Sequence, residues 1–206
     1  MNNLIEILKI AKVSPQTIKA MSQIDRKNFI PKDQPYSIAN AYKDVALSIG
    51  HGVTISQPSL VGKMIDLLQV EPTSNILELG TGSAYNAAIL GKLLDYKFGG
   101  GTLTTVERIG ALARRARLLL KKKNIKVIHG DAVNYKYNNK FDRIIVTAEF
   151  LNQHQIEKFV LKNSSLFAIC VYPFGGWLWR IIKMGDEINK EKIIKVKFVP
   201  VIESKI

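Results

Sequence analysis

The chain has 206 residues, enough to bury the core of one domain without covalent staples. Its one cysteine, Cys170, excludes an internal disulfide, and no paired Cys/His spacing suggests zinc, so no metal is expected and a reducing cytoplasm is the expected home. With 30 Lys and Arg against 17 Asp and Glu, the formal charge of +13 admits nucleic acid or an acidic substrate as partner, beside the plainer reading of a solvated basic surface.

In chain order, residues 1–9 carry Glu6 and no long apolar stretch, so neither a signal peptide nor a membrane anchor is expected. Leu4, Ile5, Ile7, Leu8 and Ile10 share one helical stripe, and Ser14-Pro15 supplies an N-cap followed by proline at the first helical position. Two short helices should therefore precede a loop over residues 25–53, which holds Pro31, Pro35, Gly50 and Gly52. A helix from Pro58 then leads into alternating elements. Strands are expected at 75–79, 102–106, 126–129 and 141–147, with helices at 84–94 and 109–123, the second closed by Lys121-Lys122-Lys123. After Gln153 a helix precedes an apolar strand at 166–172, where Cys170 reads as a buried spectator. Residues 178–184 and 193–201 read as a final antiparallel edge, with Lys183 to Lys197 as ordinary polar surface. Strand–helix alternation of this kind implies an α/β fold: a doubly wound, mostly parallel sheet with right-handed crossovers.

In such a sheet ligands bind beyond the carboxyl ends of the strands, where the strand order reverses. The loop Glu78-Leu79-Gly80-Thr81-Gly82-Ser83-Ala84-Tyr85 follows the first strand, and Gly80 and Gly82 let its backbone come close to a ligand. Tyr85 occupies the third glycine position of a dinucleotide fingerprint, so a nicotinamide cofactor is disfavoured. Glu107, at the end of the next strand, can accept from both hydroxyls of an adenosine ribose, and Asp131 in Gly130-Asp131-Ala132 from the adenine amino group. No lysine-bearing phosphate loop is present, so adenosine without phosphates fits best.

These segments, with Thr105-Val106-Glu107-Arg108-Ile109 and Phe141-Asp142-Arg143-Ile144-Ile145-Val146-Thr147-Ala148, resemble the protein L-isoaspartate O-methyltransferases. Upstream, Ala20-Met21, Arg26 with Phe29-Ile30-Pro31, Ala41-Tyr42-Lys43-Asp44, Leu47-Ser48-Ile49-Gly50 and Gly52-Val53-Thr54-Ile55-Ser56-Gln57-Pro58 narrow the likeness, and Phe198-Val199-Pro200-Val201 extends it to a closing strand. The resemblance implies a Rossmann-like methyltransferase sheet with a helical N-terminal extension. Residues 1–57 would form a helical segment that covers cofactor and substrate, and residues 58–206 one compact unit that binds S-adenosylmethionine. The implied reaction is methylation of the free α-carboxylate of isoaspartyl residues in damaged peptides and proteins, with S-adenosylhomocysteine as product. Cofactor contacts are expected from Glu78, Gly80, Thr81, Gly82, Ser83, Tyr85, Glu107, Arg108, Asp131, Ala132 and Thr147. Substrate contacts are expected from Thr54, Ile55, Ser56, Ala148 and Glu149, with Ser56 as the catalytic residue.

The chain departs from the family pattern at four places. Ala84 replaces a glycine, an added methyl that is tolerable if the backbone there is already helical. Ala132 and the following Val133-Asn134-Tyr135 replace a glycine-containing loop, and Asn163-Ser164-Ser165 stand where a Gly-Gly turn is usual. Glu149 brings a carboxylate beside a carboxylate substrate, where like charges repel unless something pairs it. These changes leave two alternatives: methylation of another substrate such as RNA, or cofactor binding without catalysis.

Overall fold

The computed structural model describes residues 2–94, 100–149 and 152–196. Helix α1 (Asn2–Ile10) is followed by α2 (Pro15–Ser22), whose N-cap Ser14 accepts from Thr17 N, as the Ser-Pro pair implied. Ser14 N, Ser14 Oγ and Thr17 Oγ1 all donate to the Asp66 carboxylate, tying α2 to α4 (Pro58–Leu68). The expected loop at 25–53 carries more structure than its proline and glycine content suggested. It contains a 3-10 turn (Arg26–Phe29) capped by Asp25, a short α3 (Pro35–Ala39) and β1 (Leu47–Ser48), which pairs antiparallel with β2 (Thr54–Ile55). A buried arginine described below holds these pieces together; hydrophobic periodicity carries no trace of it.

The remaining elements are β3 (Asn75–Leu79), α5 (Tyr85–Leu93), β4 (Thr102–Glu107), α6 (Gly110–Leu119), β5 (Ile125–His129), β6 (Phe141–Val146), α7 (Gln153–Asn163), β7 (Ser164–Phe174), β8 (Trp177–Met184) and β9 (Glu187–Lys195). Strands β3 to β9 form a sheet of order β5-β4-β3-β6-β7-β8-β9, parallel from β5 to β7 and antiparallel at β8 and β9. The expected doubly wound sheet with an antiparallel edge is thus realised. Successive strand residues face opposite layers: Ile76, Leu103 and Ile145 join the core under α4, α5 and α6, while Leu77, Ile144 and Val146 pack under α7. Leu4, Leu8, Met21 and Phe29 belong to the first of these cores, so the N-terminal segment packs directly on the sheet unit. Among the described residues no helix is long and apolar enough to cross a membrane.

Three expectations are corrected. Helix α6 ends at Leu119 because Leu120 turns into the core at 7% exposure. The three lysines therefore lie beyond the helix, and Lys122 donates to Gly91 O of α5. Strand β9 begins at Glu187, six residues before the apolar run, because Gly185 at φ +63 turns the chain tightly after Met184. Its polar residues mark it as an edge strand: Glu191 bridges Arg180, and Lys190 bridges Glu157. Residues 197–201 of the expected final strand lie outside the described residues. Lys183 is not surface, since it is 5% exposed and donates to Ser165 O at 3.0 Å. Cys170 is buried as expected, and burial pushes its thiol well above the usual range.

Candidate active site

The sheet order reverses between β3 and β6, so the carboxyl end of β3 is the switch point. In-register pairing of Leu79 with Val106 and with Val146 brings three strand ends to one level. Gly80 N donates to Val106 O, Thr147 N to Leu79 O, and Gly130 N to Glu107 O. The glycine loop, Glu107 with Arg108, Gly130-Asp131 and Thr147-Ala148 therefore lie side by side along one edge.

Gly80 turns the chain at φ +94, a conformation that strains any side chain, and a Cβ there would meet Thr147 Oγ1 at 2.6 Å. The single Thr147 Oγ1 proton is shared between Gly80 O, the nearer acceptor, and Leu79 O, locking the turn. Gly82, at φ +50, has nothing within 4 Å of its Cβ direction, so the loop leaves open space on that side. Next to it, Glu107 accepts from Gly82 N through Oε2 and from Ile109 N through Oε1, both at 2.8 Å. Glu107 is only 6% exposed. The open space at Gly82, bordered by a fixed carboxylate and close backbone, fits an adenosine-bearing ligand.

Beneath the loop lies a polar chain. Glu78 is fully buried and accepts from Asn86 Nδ2 at 2.7 Å and from Thr105 Oγ1 at 2.5 Å. Because Thr105 spends its proton on Glu78, the 2.6 Å contact between Thr81 and Thr105 makes Thr81 the donor. Burial, with a smaller push from the Glu107 charge, raises the Glu78 carboxyl to about 7 against the hydrogen bonds from Thr105 and Asn86. Glu78 thus supports the loop from below, where it cannot touch a ligand directly, contrary to the expected contact. Tyr85 is similar. Its ring is 1% exposed and packs edge-on against Phe29 at 5.6 Å, so its side chain faces the N-terminal segment.

Ala84 adopts φ +69, ψ 5 as N-cap of α5, a left-handed conformation. The expectation of a helical backbone there is corrected, and the family glycine gains a reason. Left-handed strain in alanine, roughly 1–2 kcal/mol, is partly offset here by burial of a methyl at 0% exposure, about 0.8 kcal/mol. Ser83 Oγ accepts from Tyr85 N and helps start the helix.

At β5 the Asp131 carboxylate is engaged by its own loop, accepting from Val133 N at 2.9 Å and from Asn134 Nδ2 at 2.9 Å. Tyr137 donates to Ala132 O and packs at a tilt against Tyr135, so the aromatic pair stiffens a loop that glycine would leave free. Arg108 is exposed, and its carbonyl contacts the His129 ring. Beyond the end of β6, Glu149 Oε1 takes the Gly176 N–H at 3.1 Å, in the turn between β7 and β8. The partner that Glu149 needs is therefore a backbone amide, which holds the β7–β8 hairpin against the end of β6.

The Thr54-Ile55-Ser56 segment is held by Arg26. This residue is 0% exposed and donates to Ala41 O at 2.5 Å, Val45 O at 2.9 Å and Ser56 O at 3.0 Å, with Lys43 O and Ile55 O at 3.5 Å. Desolvation lowers its guanidinium to about 10, which leaves it charged at neutral pH. Thr54 is exposed and Ser56 half-buried, whereas Ile55 is 1% exposed in the core, so its side chain anchors the segment instead of meeting substrate. Among the described residues the Ser56 hydroxyl makes no hydrogen bond. Arg115 of α6 donates to Phe29 O and Asn28 O, fastening the 3-10 turn to the sheet unit.

Thr105, Asn86 and Arg26 carry this architecture, and none stood out as a site residue in the sequence. Thr105 left no distinct signal, since β4 carries two further threonines, Thr102 and Thr104.

The family model for protein-L-isoaspartate(D-aspartate) O-methyltransferase matches residues 1–205. The protein-L-isoaspartate O-methyltransferase of Aliivibrio fischeri is 39% identical over 189 residues, covering 90% of this chain and 86% of that one. Its counterpart in Fervidobacterium nodosum is 37% identical over 207 residues, covering 96% and 98%. A crystal structure of a Plasmodium falciparum protein assigned to the same activity, in complex with S-adenosyl-L-homocysteine, superposes with a TM-score of 0.80 at 24% identity, covering 96% of this chain and 95% of that one. The fold is thus shared, and the family match spans both the glycine loop and the Thr54–Ser56 segment: the chain belongs to the protein-L-isoaspartate(D-aspartate) O-methyltransferase family.

Proposed function

We propose that this chain methylates the free α-carboxylate of L-isoaspartyl residues in damaged peptides and proteins, in a reducing cytoplasm, with S-adenosylmethionine as methyl donor. The family match over residues 1–205 carries this reading. It is supported by the open, backbone-lined space at Gly82 beside Glu107. Residues 58–206 serve as the cofactor-binding unit and residues 1–57 as its cover.

When bound, S-adenosylmethionine supplies a sulfonium methyl whose C–S bonding electrons return to sulfur as the acceptor oxygen bonds the carbon. The acceptor carboxylate, with a pKa of about 4, is already ionised at pH 7, so no general base is required. The chain's own work is to orient and to exclude water. Gly80, Thr81, Gly82 and Ser83 admit the cofactor to close backbone range. Each Glu107 oxygen keeps a lone pair beyond its amide bond and accepts a ribose hydroxyl. Asp131 accepts the adenine amino group with a remaining lone pair, next to Ala132, and Arg108 follows Glu107 at the neighbouring strand end. Thr147 fixes the floor at Gly80, while Glu78 and Tyr85 brace the loop from behind. Thr54, Ala148 and Glu149 border the acceptor, and Ser56 Oγ donates to its carboxylate.

Labelled S-adenosylmethionine incubated with an isoaspartyl peptide, its aspartyl counterpart and bulk tRNA tests the acceptor. Base-labile label on the isoaspartyl peptide alone is expected; label on tRNA alone would overturn the reading. Glu107→Ala is expected to weaken cofactor binding by about 1–3 kcal/mol through lost charged hydrogen bonds, and calorimetry showing unchanged affinity would remove the ribose role. Ser56→Ala should lower kcat about 10- to 100-fold, the loss of one hydrogen bond to a charged group, with cofactor affinity nearly intact. Equal losses in both would move Ser56 from substrate to cofactor.

A further inference from the structure

The structure assigns a second role to the N-terminal segment: Arg26 is a positioning residue that fixes Ser56 for the acceptor without touching either ligand. This inference rests on the proposed role of Ser56. Arg26 binds carbonyls from two separate stretches, Ala41, Lys43 and Val45 on one and Ile55 and Ser56 on the other. The last two bracket the peptide unit that carries the candidate serine, so any change in guanidinium position moves Ser56 directly.

The same arginine also governs the far side of the segment. Asp44 lies between two residues whose carbonyls Arg26 binds, and its carboxylate accepts from Ser59 N at 2.8 Å and from Ser59 Oγ at 2.7 Å. Gln57 Nε2 in turn donates to Ser59 Oγ. Residues 55 to 59 are thus pinned at one end by Arg26 and at the other by Asp44, which itself rides on the stretch that Arg26 gathers. Phe29, at the end of the Arg26 turn, packs edge-on against Tyr85 and seats the turn on α5.

A simple space-filling role explains these features poorly. Burying a guanidinium is costly, and its Nε has no hydrogen-bond partner among the described residues. Apolar side chains fill such space without orphaned donors. What a planar, multidentate cation does that no apolar residue can is gather five carbonyls into one cluster.

Arg26→Lys keeps the charge but loses the planar fork. In this variant kcat toward an isoaspartyl peptide should fall about 10- to 100-fold, the cost of a displacement near 1 Å at the reacting centre. The dissociation constant for S-adenosylhomocysteine should stay within about threefold, because Gly82, Glu107 and Asp131 make no contact with Arg26. Amide hydrogen exchange in residues 53–57 should quicken while exchange in β4 and β5 stays unchanged. Unchanged kcat in the folded variant, or a parallel loss of kcat and cofactor affinity, would overturn the positioning role. Should Arg26→Lys not fold, Asp44→Asn decides: faster exchange at 55–59 with unchanged cofactor affinity is expected, and unaltered exchange there refutes the clamp. The exchange measurement reads the clamp directly, so absent methyl transfer by the unaltered protein would count against the isoaspartyl assignment and not against Arg26.

Discussion

Gly80→Ala is expected to destabilise the protein by about 2–5 kcal/mol, summing left-handed strain of roughly 1–2 kcal/mol and overpacking of about 1–3 kcal/mol. The new methyl would lie 2.6 Å from Thr147 Oγ1, which cannot step aside cheaply because it holds Leu79 O and Gly80 O. A chain of this size should lose about 10 °C in Tm. Gly82→Ala makes the contrasting case. Its methyl points into open space, so the stability loss should be only the strain of φ +50, about 1 kcal/mol, while cofactor affinity should collapse because that space is the proposed ligand volume. Urea unfolding and calorimetric titration of both variants separate the two effects. A loss under 1 kcal/mol for Gly80→Ala would show that the turn can open, and full affinity in Gly82→Ala would place the cofactor elsewhere.

The alternation of apolar runs, glycines and helical stripes made the sheet legible in the sequence. Residues 75–79 were readable to the residue because a short apolar strand ends at a glycine that has to turn. Long-range polar contacts were not legible. Asp66 collecting three donors from the start of α2, Arg26 collecting five carbonyls, and Glu149 reaching Gly176 across 27 positions leave no periodic trace. They appear in a sequence only as unexplained polar residues. The same holds for backbone conformation: Ala84 reads as a good helix former, and only the fold shows that it sits at positive φ. Within the site, the fold brings Glu107, Asp131 and Thr147 to adjacent strand ends. Glu78 and Tyr85, adjacent in sequence to the loop, instead face away from the cleft, because alternation along β3 and the first turn of α5 direct them into the core.

Glu78 gives the second large effect, a pH dependence. Its carboxyl is raised from 4.5 to about 7 in the folded protein by burial. Below pH 4.5 both folded and unfolded chains hold the proton, and the contribution of this group to stability is fully present. Between 4.5 and 7 the unfolded chain releases the proton while the folded chain keeps it, so stability falls as pH rises, with the loss complete above 7. At about 1.4 kcal/mol per pH unit the total is roughly 3 kcal/mol. Glu78→Gln removes the titration while keeping the shape, with Asn86 free to rotate its amide so that an oxygen meets the new NH2. Urea unfolding of both proteins at intervals from pH 4 to 8 isolates this one group, since every other titration is common to the pair. The unaltered protein should lose about 3 kcal/mol relative to Glu78→Gln across that window. Parallel curves would mean that Glu78 is ionised throughout and that Thr105 and Asn86 alone offset its burial.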